Sequence, residues 1–431
     1  MSQVKVGIVG FGTVGAGVVE CLLRNGDLIA QRTGIEPVLT RVADLDIESD
    51  RGVVVPAGVL TTNVEDVLSG DDVDVVVELV GGTTVAKAFI LKALANGKSV
   101  VTANKALLAA HGAEIFAAAR KASVDVYYEA SVAGGIPVIK ALREGLVGNR
   151  FLEIVGILNG TCNYILTKMD QEAADFNEVL DAAQAAGYAE ADPAFDVDGI
   201  DTAHKAAILA SLAYGEWFGT SPLHVEGIRA VTLQDIRYAA NLGYKIKLLA
   251  IIKQTDSAVQ MRVHPALIPT TSLLGHVDGV FNAVWVRGDT VGDTMYYGRG
   301  AGRDATGSAV VSDIIDIGRN LKFGSGRRVP GFLPHKGYAR VVPMSEIRTR
   351  YYIRLQAMDQ PGVLALVSGI LARVGISIAS VTQEESTQES VPLVILTHLA
   401  GESDMQQALG EIRELAEIVE APIVFRIEDF D

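Results

Sequence analysis

Apolar positions along this chain change rhythm twice. At the start, short apolar runs alternate with amphipathic stretches. Lys5-Val6-Gly7-Ile8-Val9, "EPVLTRVA" (36–43), "VDVVVELV" (73–80) and "KSVVTA" (98–103) predict strands. They are apolar at successive positions, the pattern of strands covered on both faces. Between them, "AGVVECLLR" (16–24) and "TVAKAFILKALANG" (84–97) carry helical spacing, the second closed by Asn96-Gly97. Strands alternating with helices imply a Rossmann-type, doubly wound parallel sheet in an α/β chain.

After about residue 135 the rhythm loosens. "FLEIVGIL" (151–158) and "AVQMRVHPALI" (258–268) predict strands, and "GIDTAHKAAILASLAYG" (199–215) predicts a long helix, which suits an α+β domain. "GSAVVSDIIDIGRNL" (307–321) predicts a helix that returns to pack on the first domain. "FGSGRRVPGFLPHKG" (323–337) reads as loop or linker. From Arg350 onward the order strand, helix, strand, strand, helix, strand predicts a small βαββαβ unit of ferredoxin-like type. The expected domains are therefore 1–135, completed by a helix near 305–322; 136–304; a linker at 323–348; and 349–431.

The chain has 431 residues, more than one ordinary domain, with 49% apolar and 21% charged side chains. Its net charge of −15 opposes nucleic acid or an anionic membrane as partner, since both need basic surface. Residues 350–431 hold five basic and thirteen acidic side chains, a net of −8, so more than half of the excess negative charge lies there. Cys21 and Cys162 form no metal-ligand spacing, which suits a reducing compartment. The strand pattern that begins by Val4 leaves no room for a signal peptide, and no uncharged apolar run is long enough to span a membrane. A cytoplasmic enzyme is expected.

The candidate chemistry starts at "VGIVGFGTVG" (6–15). Gly10, Gly12 and Gly15 form GxGxxG, with Phe11, Thr13 and Val14 between them, immediately after a strand and before a helix. The first glycine permits a tight turn, the second lets backbone approach a pyrophosphate, and the third lets helix and strand pack closely. Asp44 follows the second strand, where an acid binds a ribose 2′-hydroxyl and favours NAD; Arg41 and Arg51 are the alternatives for a 2′-phosphate. Lys105, in "TANKALLA", lies just past the carboxyl end of a strand, where ligands bind in open α/β sheets. "GYAEADPAFDVDGIDTAHKAA" gathers Glu190, Asp192, Asp196, Asp198 and Asp201 ahead of Lys205. Asp201 and Lys205 share a helix face at i,i+4, which is either an ordinary ion pair or a lysine poised among carboxylates for proton transfer. His204 faces away from Lys205.

These residues also resemble a known family. "VVVELVGGTTVAKAFILKALANGKSVVTANKALLA", "YEASVAGGIPVIKALREGL", "GILNGTCNYIL" and "GYAEADPAFDVDGIDTAHKAAILA" together resemble homoserine dehydrogenase over residues 4 to 320. "DQPGVLALVSGILARVGISIASVTQ" resembles an ACT domain, a module that senses amino acids. The resemblance implies NAD(P)-dependent, reversible reduction of L-aspartate 4-semialdehyde to L-homoserine, within threonine and methionine biosynthesis. It implies Lys205 as proton donor to the carbonyl oxygen and Lys105 as the second lysine, near nicotinamide and the reacting oxygen. Glu190 and Asp201 would orient the amino acid, with Gly187 on the same loop, and Gly302 would approach the cofactor. A monovalent cation such as Na+ would sit at Glu129, Val132, Gly134 and Ile136. Many family members carry an arginine near the end of the second strand, where the phosphate of NADP would sit; here the local sequence is Val42-Ala43-Asp44-Leu45-Asp46, which counts against an NADP preference. In the ACT unit, Gln383 and Ser377 would contact an amino-acid effector, threonine being the candidate. A homo-oligomer is implied as well. Two other classes compete: a hydroxyacid dehydrogenase, whose Arg, Glu and His trio is not apparent, and a non-catalytic amino-acid sensor, against which the intact lysines and acids speak.

Overall fold

The computed structural model of the chain describes residues 2–324, 328–335, 340–384 and 389–430. The apolar runs of the N-terminal part form strands β1 (Ser2–Val9), β2 (Ile35–Ala43), β3 (Leu60–Thr61), β4 (Val75–Glu78), β5 (Ser99–Thr102) and β6 (Val126–Tyr127). Helices α1 (Thr13–Thr33), α2 (Glu65–Leu68), α3 (Val85–Ala95) and α4 (Lys105–Ala122) connect them. All neighbouring strands are parallel, in the order β3-β2-β1-β4-β5-β6. This is the doubly wound Rossmann arrangement, whose direction reverses between β1 and β4. The central strand β4 is buried at every residue, as its unbroken valines require.

The chain continues through α5 (Val138–Lys140), β7 (Phe151–Ile157), α6 (Gly160–Glu172), α7 (Phe176–Ala185), α8 (Ala194–Val197) and α9 (Ile200–Tyr214). Next come β8 (His224–Val225), α10 (Leu233–Asn241), β9 (Tyr244–Gln254), β10 (Val259–Pro269), β11 (Phe281–Gly288), β12 (Gly292–Arg299) and α11 (Arg303–Lys322). The last part holds β13 (Arg348–Met358), α12 (Val363–Arg373), β14 (Ile378–Gln383), β15 (Ser390–Thr397), β16 (Ala400–Gly401), α13 (Glu402–Arg413) and β17 (Ile423–Ile427). The whole divides into two compact units: Met1–Gly160, Ala203–Ser221 and Phe281–Ala339 in the first, and Thr161–Thr202, Pro222–Val280 and Arg340–Asp431 in the second.

In the first unit, β7, β11 and β12 pair antiparallel with β11 in the middle. Helix α11 returns to the parallel sheet and crosses α1 at glycines. A Cβ on Gly17 would lie 2.4 Å from the Arg303 carbonyl oxygen, and one on Gly307 would lie 3.0 Å from the Gly17 carbonyl carbon. The two backbones therefore meet almost directly, and Val310, Val311 and Ile314 of α11 join Val18, Val19 and Leu22 of α1 in one apolar core. That core explains why α1 runs on past Arg24. Ile29 and Ala30 extend its apolar stripe across Asn25-Gly26, and that burial outweighs the ~1 kcal/mol that an interior glycine costs. The helix stops at Gly34, which is left-handed (φ 71°).

The stretch expected as linker is anchored where it is described. Tyr127 and Tyr128 donate their hydroxyls to the carbonyls of Val329 (2.7 Å) and Gly331 (2.9 Å). The Phe332 ring lies 4.9 Å from that of Trp217 and 5.5 Å from that of Phe116. Residues 325–327 and 336–339 of the expected 323–348 linker lie outside the described residues.

In the second unit, β9 and β10 form a long antiparallel pair. The C-terminal part has the predicted βαββαβ order, with sheet order β17-β13-β15-β14. Val367, Leu371, Met405 and Leu409 of α12 and α13 cover one face of it. Its outer strand β17 pairs parallel to β10, Ala266 opposite Arg426 and Leu267 opposite Ile427. The small module thus continues the sheet of β9 and β10. Ions are buried along this seam: Glu428 accepts from Arg262 (2.6 Å) and Lys253 (2.9 Å). Burial opposes the Glu428 charge, but Arg262 and Lys253 overcome it and hold the carboxyl down at about 2. His264 is pushed down to about 3 by burial and by Arg426 and Arg262, so it is neutral at pH 7.

Candidate active site

The parallel sheet prepares its end for a ligand through backbone geometry. Gly10 turns the chain with φ 101°, and a Cβ there would meet the Leu79 carbonyl at 2.7 Å. A Cβ on Gly15 would lie 2.2 Å from the Gly10 carbonyl oxygen, so only glycine lets α1 start this close to β1. Gly12 differs: a Cβ there would meet nothing within 4 Å. It is the N-cap of α1, and no side chain caps that helix. An uncapped helix start facing open space offers N–H groups and a positive dipole end to an anion.

A cavity of about 560 Å³ opens beside this turn at the carboxyl ends of β1, β2 and β4, lined among others by Gly10, Gly12, Asp44, Thr62, Val80 and Phe89. The Asp44 carboxylate accepts the Phe11 N–H at 2.5 Å and the Asp46 N–H at 2.9 Å, which ties the glycine turn to the end of β2. Arg41 pairs with Asp72 (2.8 Å) and Arg51 with Asp46 (3.0 Å). The residues here fit a dinucleotide: an open glycine cradle, an acid at the rim, and apolar walls from Val64, Val85 and Phe89. Gly302 repeats the pattern at the start of α11, with φ 120°, no side-chain cap, and open space where its Cβ would be.

Lys105 is the first residue of α4, three positions past Thr102 at the end of β5, and half-buried. Asn104 caps that helix, accepting the Leu107 N–H at 3.0 Å, and donates to the Gly82 carbonyl at 2.8 Å. Behind it stands Glu78, 1% exposed, which accepts the Thr102 hydroxyl (2.7 Å) and the Val80 N–H (2.9 Å). Glu78 thus braces the two loops that flank Lys105 and the cavity. Sequence reasoning passed over it, although a carboxylate inside the apolar run "VVVELV" was the signal. Lys205 lies on α9 with 7% exposure, and its Nζ donates to the Leu158 carbonyl at 2.6 Å, just past the end of β7. Both lysines belong to the first unit.

The acid-rich loop lies in the second unit and sorts itself by partner. Asp198 pairs with Arg229, Asp196 accepts the Thr161 hydroxyl at 3.1 Å, and Asp192 accepts the Ala194 N–H at 3.1 Å. The Glu190 side chain is exposed, while its carbonyl accepts from Gln184 at 2.8 Å. Gly187 is left-handed (φ 74°) and ends the turn after α7. Asp201, one turn before Lys205 on α9, is 3% exposed. Among the described residues, no group of three or more His, Cys, Asp or Glu is arranged to hold a metal ion.

The turn containing Glu129, Val132, Gly134 and Ile136 lies in the first unit with all four of these residues buried, and a Cβ on Gly134 would stand 2.4 Å from the Gly300 carbonyl oxygen. Glu129 accepts the N–H groups of Ile139 and Lys140, both at 2.8 Å, and donates its own N–H to Asp313 at 2.8 Å. Burial pushes the Glu129 carboxyl up to about 7 and, together with the Glu129 charge, raises Asp313 as well. Ala133 and Gly134 are both left-handed (φ 55° and 50°), and the Ile136 carbonyl accepts the Val138 N–H at 2.8 Å. In the C-terminal module, Gln383 donates to Asp359 at 3.3 Å and the Ser377 carbonyl accepts the His398 N–H at 2.9 Å.

Family comparison decides what this arrangement serves. Residues 10–129 match the homoserine dehydrogenase NAD-binding domain, 137–315 match homoserine dehydrogenase itself, and 351–417 match the ACT domain. The chain belongs to the homoserine dehydrogenase family. The homoserine dehydrogenase of Neisseria gonorrhoeae is 46% identical over 427 residues, covering 98% of each chain. That of Pseudomonas aeruginosa is 46% identical over 439 residues, covering all of both. The crystal structure of a homoserine dehydrogenase from Thiobacillus denitrificans superposes with a TM-score of 0.95 at 45% identity, over 100% of this chain and 99% of that one. As a homoserine dehydrogenase the chain is an oxidoreductase with a dinucleotide-binding domain, and its βαββαβ module is an ACT domain.

The glycines can be told apart by experiment. Gly15→Ala should destabilise the fold by about 1–3 kcal/mol, because its methyl would strike backbone. Gly12→Ala should keep the urea midpoint of the native chain yet weaken nucleotide binding about tenfold, or ~1.4 kcal/mol, by filling the cradle. Native-like nucleotide affinity in folded Gly12→Ala would refute the cradle.

Proposed function

We propose that the chain interconverts L-aspartate 4-semialdehyde and L-homoserine with Lys205 as its proton-transfer group. The observation that carries this is Lys205 itself: a lysine 7% exposed, its Nζ pinned by the Leu158 carbonyl. A bound nicotinamide supplies or accepts the hydride. When the carbonyl carbon gains a hydride, the electron pair of the C=O π bond passes to oxygen, and Lys205 Nζ delivers the proton that oxygen needs. In the reverse direction the neutral Lys205 amine takes the hydroxyl proton. Lys105 stabilises negative charge on the same oxygen as an ammonium group. Glu190 and Asp201 accept hydrogen bonds from the substrate's α-ammonium, and Gly187 lets the loop turn there.

The cofactor reading leans to NAD. Asp44 takes the ribose 2′-hydroxyl, while Gly10 to Gly15 and Gly302 bring backbone to the pyrophosphate. The ion pairs of Arg41 with Asp72 and of Arg51 with Asp46 support this, since they engage the two arginines a 2′-phosphate would recruit. A monovalent cation such as Na+ is held by Glu129 and the carbonyls of Val132, Gly134 and Ile136. Its support is that each Glu129 carboxylate oxygen accepts one N–H and keeps a further lone pair. The ACT domain binds threonine through Gln383 and Ser377 and feeds back on turnover. The enzyme acts as a cytoplasmic homo-oligomer.

Lys205→Ala should retain nucleotide binding and lose about a hundredfold or more in turnover, the range of general acid–base catalysis. Near-native turnover in that variant would sink the assignment. Asp44→Ala should raise the NAD KM about tenfold, roughly one lost charged hydrogen bond, with the NADP KM little changed; an unaltered NAD KM rejects the ribose role. In the same assay, threonine should inhibit the full chain, and exchange of Na+ for tetramethylammonium should slow it. Indifference to either addition removes the corresponding site.

A further inference from the structure

The ACT domain reaches toward the acid loop through one buried arginine. Arg426 lies on β17, opposite Ala266 of β10, with its side chain 2% exposed. Its guanidinium is shared between two carboxylates. Nε and Nη2 donate to the two oxygens of Glu402, at 2.9 and 2.6 Å, inside the ACT domain. Nη1 donates at 2.8 Å to Glu226, which follows β8. Glu402 is further held by Tyr351 (2.8 Å) and Gln406 (2.9 Å), so the ACT end of this bridge is fully built. At the other end Glu226 also meets His224 Nε2 at 2.6 Å. Burial opposes the Glu226 charge, but His224 and Arg426 overcome it and hold the carboxyl far below its ordinary range.

Segment 225–229 grips the turn that opens α9. The Glu226 N–H donates to Val263 of β10 at 2.8 Å, which fixes the segment on the sheet. A Cβ on Gly227 would lie 2.1 Å from the Val197 carbonyl oxygen, and one on Gly199 would lie 3.3 Å from the Glu226 carbonyl oxygen. The two stretches are thus in backbone contact. The Ile228 N–H donates to the Val197 carbonyl at 2.8 Å, and Arg229 clasps Asp198. Two residues after this turn comes Asp201.

We propose that Glu226, held by Arg426 of the ACT domain, is a positioning residue for the amino-acid end of the substrate. It sets segment 225–229, and through it the 197–199 turn and the start of α9 that carries Asp201. The inference rests on the reading of Asp201 as a ligand of the substrate's α-ammonium. It gives the ACT domain a share in the substrate affinity of the enzyme with no effector bound, carried by a single salt bridge at the seam.

Glu226 is the group to change, because its side chain is 38% exposed and Arg426 keeps both bonds to Glu402 without it. Glu226→Ala in the full chain should raise the homoserine KM about tenfold, with kcat and the NAD KM within about twofold of native, as for a lost contact made equally in the ground and transition states. Glu226→Gln, which can still accept from Arg426, should recover most of the loss. Added to Asp201→Asn, Glu226→Ala should raise the homoserine KM little further, since both act on one contact. A homoserine KM unmoved by Glu226→Ala overturns the proposal, as does a parallel rise in the NAD KM or a failure of Glu226→Gln to rescue. If Asp201→Asn alone leaves the homoserine KM unchanged, the assignment of Asp201 fails instead, and the two failures are distinguishable.

Discussion

How near α1 comes to β1 decides the rest of the cofactor end. With the Gly10 carbonyl oxygen 2.2 Å from where a Gly15 Cβ would stand, the helix begins almost on top of the strand it follows. Its uncapped start then opens at the carboxyl edge of the sheet, where the strand order reverses between β1 and β4. Helix α11 depends on the same closeness, because it packs on α1 through Gly17 and Gly307. That contact leaves Gly302, the N-cap of α11, as a second open helix start in the same unit. Two positive helix ends suit a ligand with a doubly charged pyrophosphate.

The second unit is organised differently, around charge taken out of water. Arg262, Arg354, Arg426, Asp235, Glu402 and Glu428 are all buried along or near the strands that join the ACT domain to β10. Each has an opposite partner at hydrogen-bond distance, as in the pairing of Arg354 with Asp235 at 2.6 Å. Such pairs add little net stability over apolar contacts, but breaking one leaves a stranded ion that costs several kcal/mol. Their effect is to make one register of β17 against β10 far better than its neighbours. An ACT domain joined in this way shares the sheet of the unit that carries the acid loop.

Much of the first unit was legible in the sequence because its signals are local. Unbroken valines foretold buried parallel strands, GxGxxG marked the turn, and "TANKALLA" put Lys105 just beyond a strand. The i,i+4 spacing placed Asp201 and Lys205 on one helix, although whether they pair could not be read from spacing. The extent of α1 was misjudged because Asn25-Gly26 reads as a stop, and the stripe that overrides it packs on α11, nearly 300 residues downstream. The parallel pairing of β10 with β17 could not be read at all, since it joins residues 266 and 426 and leaves no periodic mark. Glu226 was hidden for a related reason: its worth lies in Arg426, 200 residues further along the chain.

The central claim is that hydride moves between the alcohol carbon of an amino acid and the nicotinamide of a dinucleotide whose pyrophosphate sits at the glycine turn. It is tested most directly by incubating the full chain with NAD and homoserine deuterated at its alcohol carbon, then examining the reduced nicotinamide by mass spectrometry. The account predicts one deuterium transferred from homoserine to each nicotinamide reduced. Reduced nicotinamide without deuterium, or no reduction at all with either NAD or NADP, would contradict it.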